Sequence, residues 1–210
     1  MYQEKNSSYG IIAIIYYIIY FLGLFWAGIM FHKGITLGIN YIYCLLFIIG
    51  ILIVLIKDKN IYNLIGYSKE KLKVNLIISF TIVVATFMVI LIFSDQTFEK
   101  VFIQMFYYLF YIAAIEEILF RGFIQNYLFG FKLNKFLTFI IGALLFSFMH
   151  IPFQMFVHNN LTLTYLIEAV PNLIETFIFH FIFCFIAYKR KDILIAIAVH
   201  YAYDFLGVIM

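Results

Sequence analysis

Seven stretches of this chain are apolar runs close to the length of a bilayer crossing, and they leave few folds open. They cover about 11–31, 39–56, 74–93, 101–120, 137–151, 163–188 and 193–210, the fifth and the last being short. A helix needs about 20 apolar residues to cross a membrane, with about 17 to 25 tolerated. Of the 210 residues, 66% are hydrophobic and 12% charged. A soluble domain of that make-up would lack the polar surface to cover its core. A transmembrane β-barrel would show alternating segments of about ten residues, whereas these runs are continuous. The expectation is an all-α polytopic membrane protein, a bundle of about seven transmembrane helices. It reads as one membrane domain over 1–210, with 1–100 supplying spans without motifs and 101–210 the chemically loaded core.

Lysine and arginine orient the bundle. Seven crossings put Lys5, Lys57, Lys59, Lys69, Lys71, Lys73, Arg121, Lys132, Lys135, Lys189, Arg190 and Lys191 on one side, and Lys33 and Lys100 on the other. Cytoplasmic loops carry the excess of basic residues, so the N-terminus is expected in the cytoplasm and the C-terminus outside. Residues 57–73 read as a basic loop, with a short interfacial helix as the alternative. A net charge of +3 is too small to argue for nucleic acid. Cys44 and Cys184 form no C-x-x-C pair and read as small hydrophobes within the spans. The first run is too long for a signal-peptide core and lacks a cleavage site. The Ile-, Phe-, Tyr-, Asn- and Lys-rich composition is what AT-rich coding gives, which points to a bacterial plasma membrane.

Charges inside a membrane cost a few kcal/mol each even on a lenient scale and mark function by default. Here they fall in the second half: Glu116, Glu117 and Arg121, then His150, then Glu168, Glu175 and His180, then His200 and Asp204. Glu117 and Arg121 are four apart and share a helix face. They can pair, which lowers the cost of both. Glu116 sits about 100° around the helix and is available to the bundle interior as a general base or acid. His200 and Asp204 are also four apart, so the acid can hold the ring's tautomer and direction. Phe146 and His150 repeat that spacing with an aromatic. Glu168 and Glu175 share a face, with Pro171 between them expected to bend the helix. Glu168 is expected at the outer interface, and Glu175 deeper, against the cavity or His180. Gln125 and Asn126 read as the helix leaving the bilayer, His32 and His158 as loop residues.

Such a set allows three chemistries. A carboxylate and a histidine can activate a water while a second histidine stabilises an oxyanion. The same side chains could hold Zn²⁺ with an open position for water. Acid and histidine chains also serve as proton relays.

The motifs EEILFR (Glu116, Glu117, Arg121), FSFMH (Phe146, His150) and HYAYD (His200, Asp204), in this order, resemble the CPBP family. These are intramembrane endopeptidases related to the CAAX prenyl protease and to bacteriocin-processing and immunity proteins, also called the Abi family. The match covers about 116–204. It implies catalytic roles for Glu116, His150, His200 and Asp204. Glu116 would activate water with His150, and His200 and Asp204 would serve the oxyanion. Glu117, Arg121 and Phe146 would support them. The CAAX-processing branch carries asparagine where Asp204 stands here. Asp204 cannot donate to an oxyanion unless protonated, so it is expected to orient His200 or to ligate a metal. The expectation is an enzyme that needs no cofactor, or else Zn²⁺ on His150, His200, Glu116 and Asp204. The absence of an HExxH helix leans towards the former. The implied partners are a peptide or membrane-protein substrate and the lipid bilayer. A non-catalytic membrane immunity or scaffold protein of the same family is the alternative. A transporter would show paired inverted halves, which the sequence lacks.

Overall fold

A computed structural model describes residues 5–59, 62, 66 and 69–207. Among them the fold is helical: α1 (Ser7–His32), α2 (Thr36–Asp58), α3 (Lys69–Phe93), α4 (Phe98–Phe131), α5 (Lys135–Val157), α6 (Leu163–Glu168), α7 (Val170–Arg190) and α8 (Leu194–Leu206). Side chains cap three of the helix starts. Asn6 Oδ1 accepts from Ser8 N, Thr97 Oγ1 from Lys100 N and Asn134 Oδ1 from Leu137 N, each satisfying a donor that has no partner inside its helix.

Six of these helices, α1 to α5 and α7, are long and apolar enough to cross a membrane. Large apolar side chains such as Leu22, Phe80 and Ile92 point outward from them. The protein is thus a multi-pass membrane protein. The seventh run folds as α8, whose 13 residues rise only about 20 Å. The fourth and fifth runs are longer than expected, because α4 continues to Phe131 and α5 to Val157. Arg121 therefore lies within α4, fully buried, and not in a basic loop. Gln125 and Asn126 are also buried on α4, and Gln125 Nε2 donates to the Thr138 carbonyl at 3.0 Å. The sixth run is broken at Ala169, two residues before Pro171, which has no N–H to give to a preceding turn. Glu168 is exposed there and accepts from Asn160 Nδ2 at 3.0 Å, while Glu175 is exposed on α7. Most of the stretch between α2 and α3, where an interfacial helix was the alternative, lies outside the described residues.

The chain forms two compact units, one from within 62–122 and 184–210, the other from within 2–61 and 123–183. In the first, α8 lies along α3 and against the Tyr107–Ala114 stretch of α4, around Ile90, Val101, Ala113, Tyr201 and Phe205. In the second, α1 packs on α2 and on the second half of α5. Gly28 lets the Phe156 ring approach the α1 backbone, and the Tyr16 hydroxyl donates to the Leu46 carbonyl at 2.7 Å. Lys5 pairs with Asp58 at 2.9 Å, its ammonium set over the Tyr9 and Tyr127 rings.

Candidate active site

The two carboxylates stand on a single α-helical turn, Ile115–Glu117, between two π-helical stretches, Tyr107–Ala114 and Ile118–Ile124. π-Helical turns are uncommon and often occur at functional sites. Arg121 Nη1 donates to Glu117 Oε1, and both side chains are sealed from solvent. Burial alone would make either charge expensive. Four-residue spacing lets each meet the other's charge within one helix.

α8 brings His200 to this turn. Its Nδ1–H donates to Glu117 Oε1 at 2.7 Å. Its Nε2 lies 3.3 Å from Asp204 Oδ2 and 3.8 Å from Glu116 Oε2. Glu117 is thus more than the partner of Arg121: one oxygen takes a guanidinium from its own helix and an imidazole from another. Sequence reasoning missed this contact, because 83 residues separate the two side chains and no spacing rule reaches that far. Of the motif residues, Glu116, Glu117, Arg121, His200 and Asp204 meet in the first unit.

Phe146 and His150 belong to the second unit. α5 is interrupted at Met149, and Pro152 sits in the turn that follows. Proline offers no N–H to the Phe148 carbonyl and its ring crowds that oxygen, which accounts for the break beside His150. His150 Nδ1 lies 3.0 Å from the Phe146 carbonyl. A carbonyl only accepts, so Nδ1 carries the hydrogen and the neutral ring has its lone pair on Nε2. The Phe146 ring meets His150 edge-on at 5.1 Å and His180 at 4.7 Å. His180 is fully buried beside Gly142, the motif Phe lying between the two imidazoles. No motif covers His180; its place in an apolar run was the one sequence signal for it.

Both His200 nitrogens already face carboxylates, and one of those carboxylates holds a guanidinium. Among the described residues, no three or more His, Cys, Asp or Glu side chains are grouped to hold a metal ion.

No curated protein and no solved structure matches the chain. Residues 98–206, which include every motif residue, match the family described as Rce1-like, type II CAAX prenyl endopeptidase. That match spans just over half of the 210 residues and the whole of the Glu116–Asp204 constellation, and the chain belongs to the Rce1-like family of type II CAAX prenyl endopeptidases.

Proposed function

We propose that the protein is an intramembrane endopeptidase that hydrolyses a peptide bond of a membrane-associated substrate with a water activated by Glu116 and His150. The observation that carries this reading is the meeting of Glu116 with a doubly held His200 across two helices. Glu117 and Asp204 address the two ring nitrogens separately, so the imidazole is fixed in tilt and direction before substrate arrives. Two N–H donors of an imidazolium satisfy both carboxylates. Preorganisation of this kind supplies much of the stabilisation of an oxyanion.

In this mechanism Glu116 takes a proton from water as the oxygen attacks the carbonyl carbon. The family resemblance gives His150 a part in activating that water, and its Nδ1–H is held by the Phe146 carbonyl. His200 Nε2–H turns from Asp204 to the oxyanion, while Glu117 keeps Nδ1–H and the two carboxylates balance the charge of the imidazolium. The tetrahedral intermediate collapses, the C–N bond breaks, and the proton on Glu116 passes to the leaving amine. The donor set supports a route without metal. With His200 as an imidazolium, its two N–H groups towards Glu117 and Asp204, the ring offers no lone pair to a zinc ion. We place the enzyme in a bacterial plasma membrane, with the N-terminus cytoplasmic.

The test compares membrane-protein N-termini by mass spectrometry in cells holding wild-type protein or Glu116→Gln at equal abundance, beside cleavage of a prenylated CAAX peptide by the purified protein. New N-termini found only with wild type, and a fall of about a hundred- to ten-thousandfold in peptide cleavage for the variant, are expected. Cleavage should survive treatment with a strong zinc chelator. Function retained by Glu116→Gln would sink the peptidase reading in favour of a binding role, and loss on chelation reversed by Zn²⁺ would sink the metal-free route.

A further inference from the structure

α8 delivers His200 and Asp204, yet its 13 residues make it shorter than each of the six crossing helices, and it enters from a three-residue turn, Lys191–Ile193. Lys191 holds a left-handed backbone conformation with φ +62°, which a residue with a side chain adopts only when its surroundings enforce it. The surroundings are polar and buried. Asn75 on α3 is 0% exposed and Asp192 is 2% exposed. Arg190 Nε donates to Asn75 Oδ1 at 2.7 Å. A guanidinium can only donate, so the amide orientation is fixed and Asn75 Nδ2 faces Asp192 Oδ2, to which it donates. The other Asp192 oxygen accepts from Leu194 N, the first residue of α8, at 3.1 Å. Lys71 Nζ adds a bond to the Lys189 carbonyl at 3.0 Å. One carboxylate thus joins α3 to the first turn of α8, with each of its oxygens committed.

This link controls a quantity that the site needs. His200 stands six residues beyond Leu194, about 9 Å along the helix. A slip of one residue in α8 turns the helix by about 100° and raises it by about 1.5 Å. Either change removes His200 Nδ1 from Glu117 Oε1. The apolar side chains of α8 and α3 can be repacked in more than one rotation; the directional bonds at Asp192 cannot.

We propose that Asn75 and Asp192 are positioning residues for the catalytic cluster, setting the rotation and height of α8 so that His200 meets Glu117. The proposal rests on the peptidase reading for its kinetic arm only.

The experiment uses the full-length protein in lipid nanodiscs, as Asn75→Asp, Asp192→Asn and the exchange of both. The first single change sets acceptor against acceptor. The second, with Oδ1 still on Leu194 N, sets donor against donor. The exchange restores donor to acceptor, leaves an oxygen for Arg190 Nε and another for Leu194 N. Two readouts are taken: the ring proton and nitrogen NMR signals of His200 in protein labelled at histidine, assigned by their loss in His200→Gln, and kcat with KM on the prenylated peptide. Each single change is expected to lose the hydrogen-bonded Nδ1–H signal and to lower kcat at least about tenfold with little change in KM. The exchange is expected to regain both. His200 signals unchanged in the single variants overturn the proposal, even where their melting temperature falls. So does an exchange that folds but does not regain the signal, or one that fails to fold like the single variants. A wild type that cleaves no prenylated peptide and yields no new membrane-protein N-termini in cells, while the His200 signal follows the expected pattern, would retire the peptidase reading and leave the positioning intact.

Discussion

Glu117 Oε1 accepts from Arg121 and from His200 at once, in a place where neither side chain of the ion pair meets solvent. Its neighbour Glu116, one residue back, faces His200 Nε2 instead. Adjacent carboxylates so divided should answer mutation differently. Glu117→Gln leaves Arg121 without its charged partner in a buried site, which costs about 3–5 kcal/mol. The expected result is a lower melting temperature in detergent together with lost activity. Glu116→Gln, by contrast, is expected to retain the wild-type melting temperature while losing activity. Equal melting temperatures for the two variants would show that the pair contributes no more to the fold than Glu116 does. Spacing alone identified Glu117 with Arg121 and His200 with Asp204, because both pairs are one helical turn apart. The bond between Glu117 and His200 was beyond its reach.

Helix geometry explains why the motif residues stand where they do. The Glu116–Glu117 turn is held between π-helical stretches, and His150 follows a break caused by Pro152. The break was readable from proline chemistry; the π-helical winding has no composition signal. Close approach of helices is set by small residues, as membrane bundles require. Gly28 on α1 is such a point, since a Cβ there would enter the Phe156 ring. Gly28→Ala is expected to destabilise the protein by about 1–3 kcal/mol through overpacking, read as a fall in melting temperature. An unchanged value would mean that Phe156 swings aside without cost.

At the scale of the whole molecule, six helices among the described residues reach the length and hydropathy of a crossing, and the described part of α8 is shorter. Seven crossings place the C-terminus outside, six would place it with the N-terminus. With the basic residues distributed as they are, a fluorescent protein fused to the N-terminus is expected to mature in the cytoplasm, and alkaline phosphatase fused to the C-terminus to be active outside. An inactive C-terminal phosphatase would mean that α8 turns back without crossing. By itself the sequence determined the membrane class, the runs that become helices and the residues of the constellation. These follow from hydrophobic length and from the 3.6-residue period, both local properties of a chain whose backbone must satisfy its own hydrogen bonds in lipid. The tertiary structure alone decided that Glu117 takes His200, that α4 runs on past a buried Arg121 to Phe131 and that Asn75 and Asp192 hold the start of α8. Contacts between helices depend on how many side chains pack at once, and no single spacing in the chain records that sum.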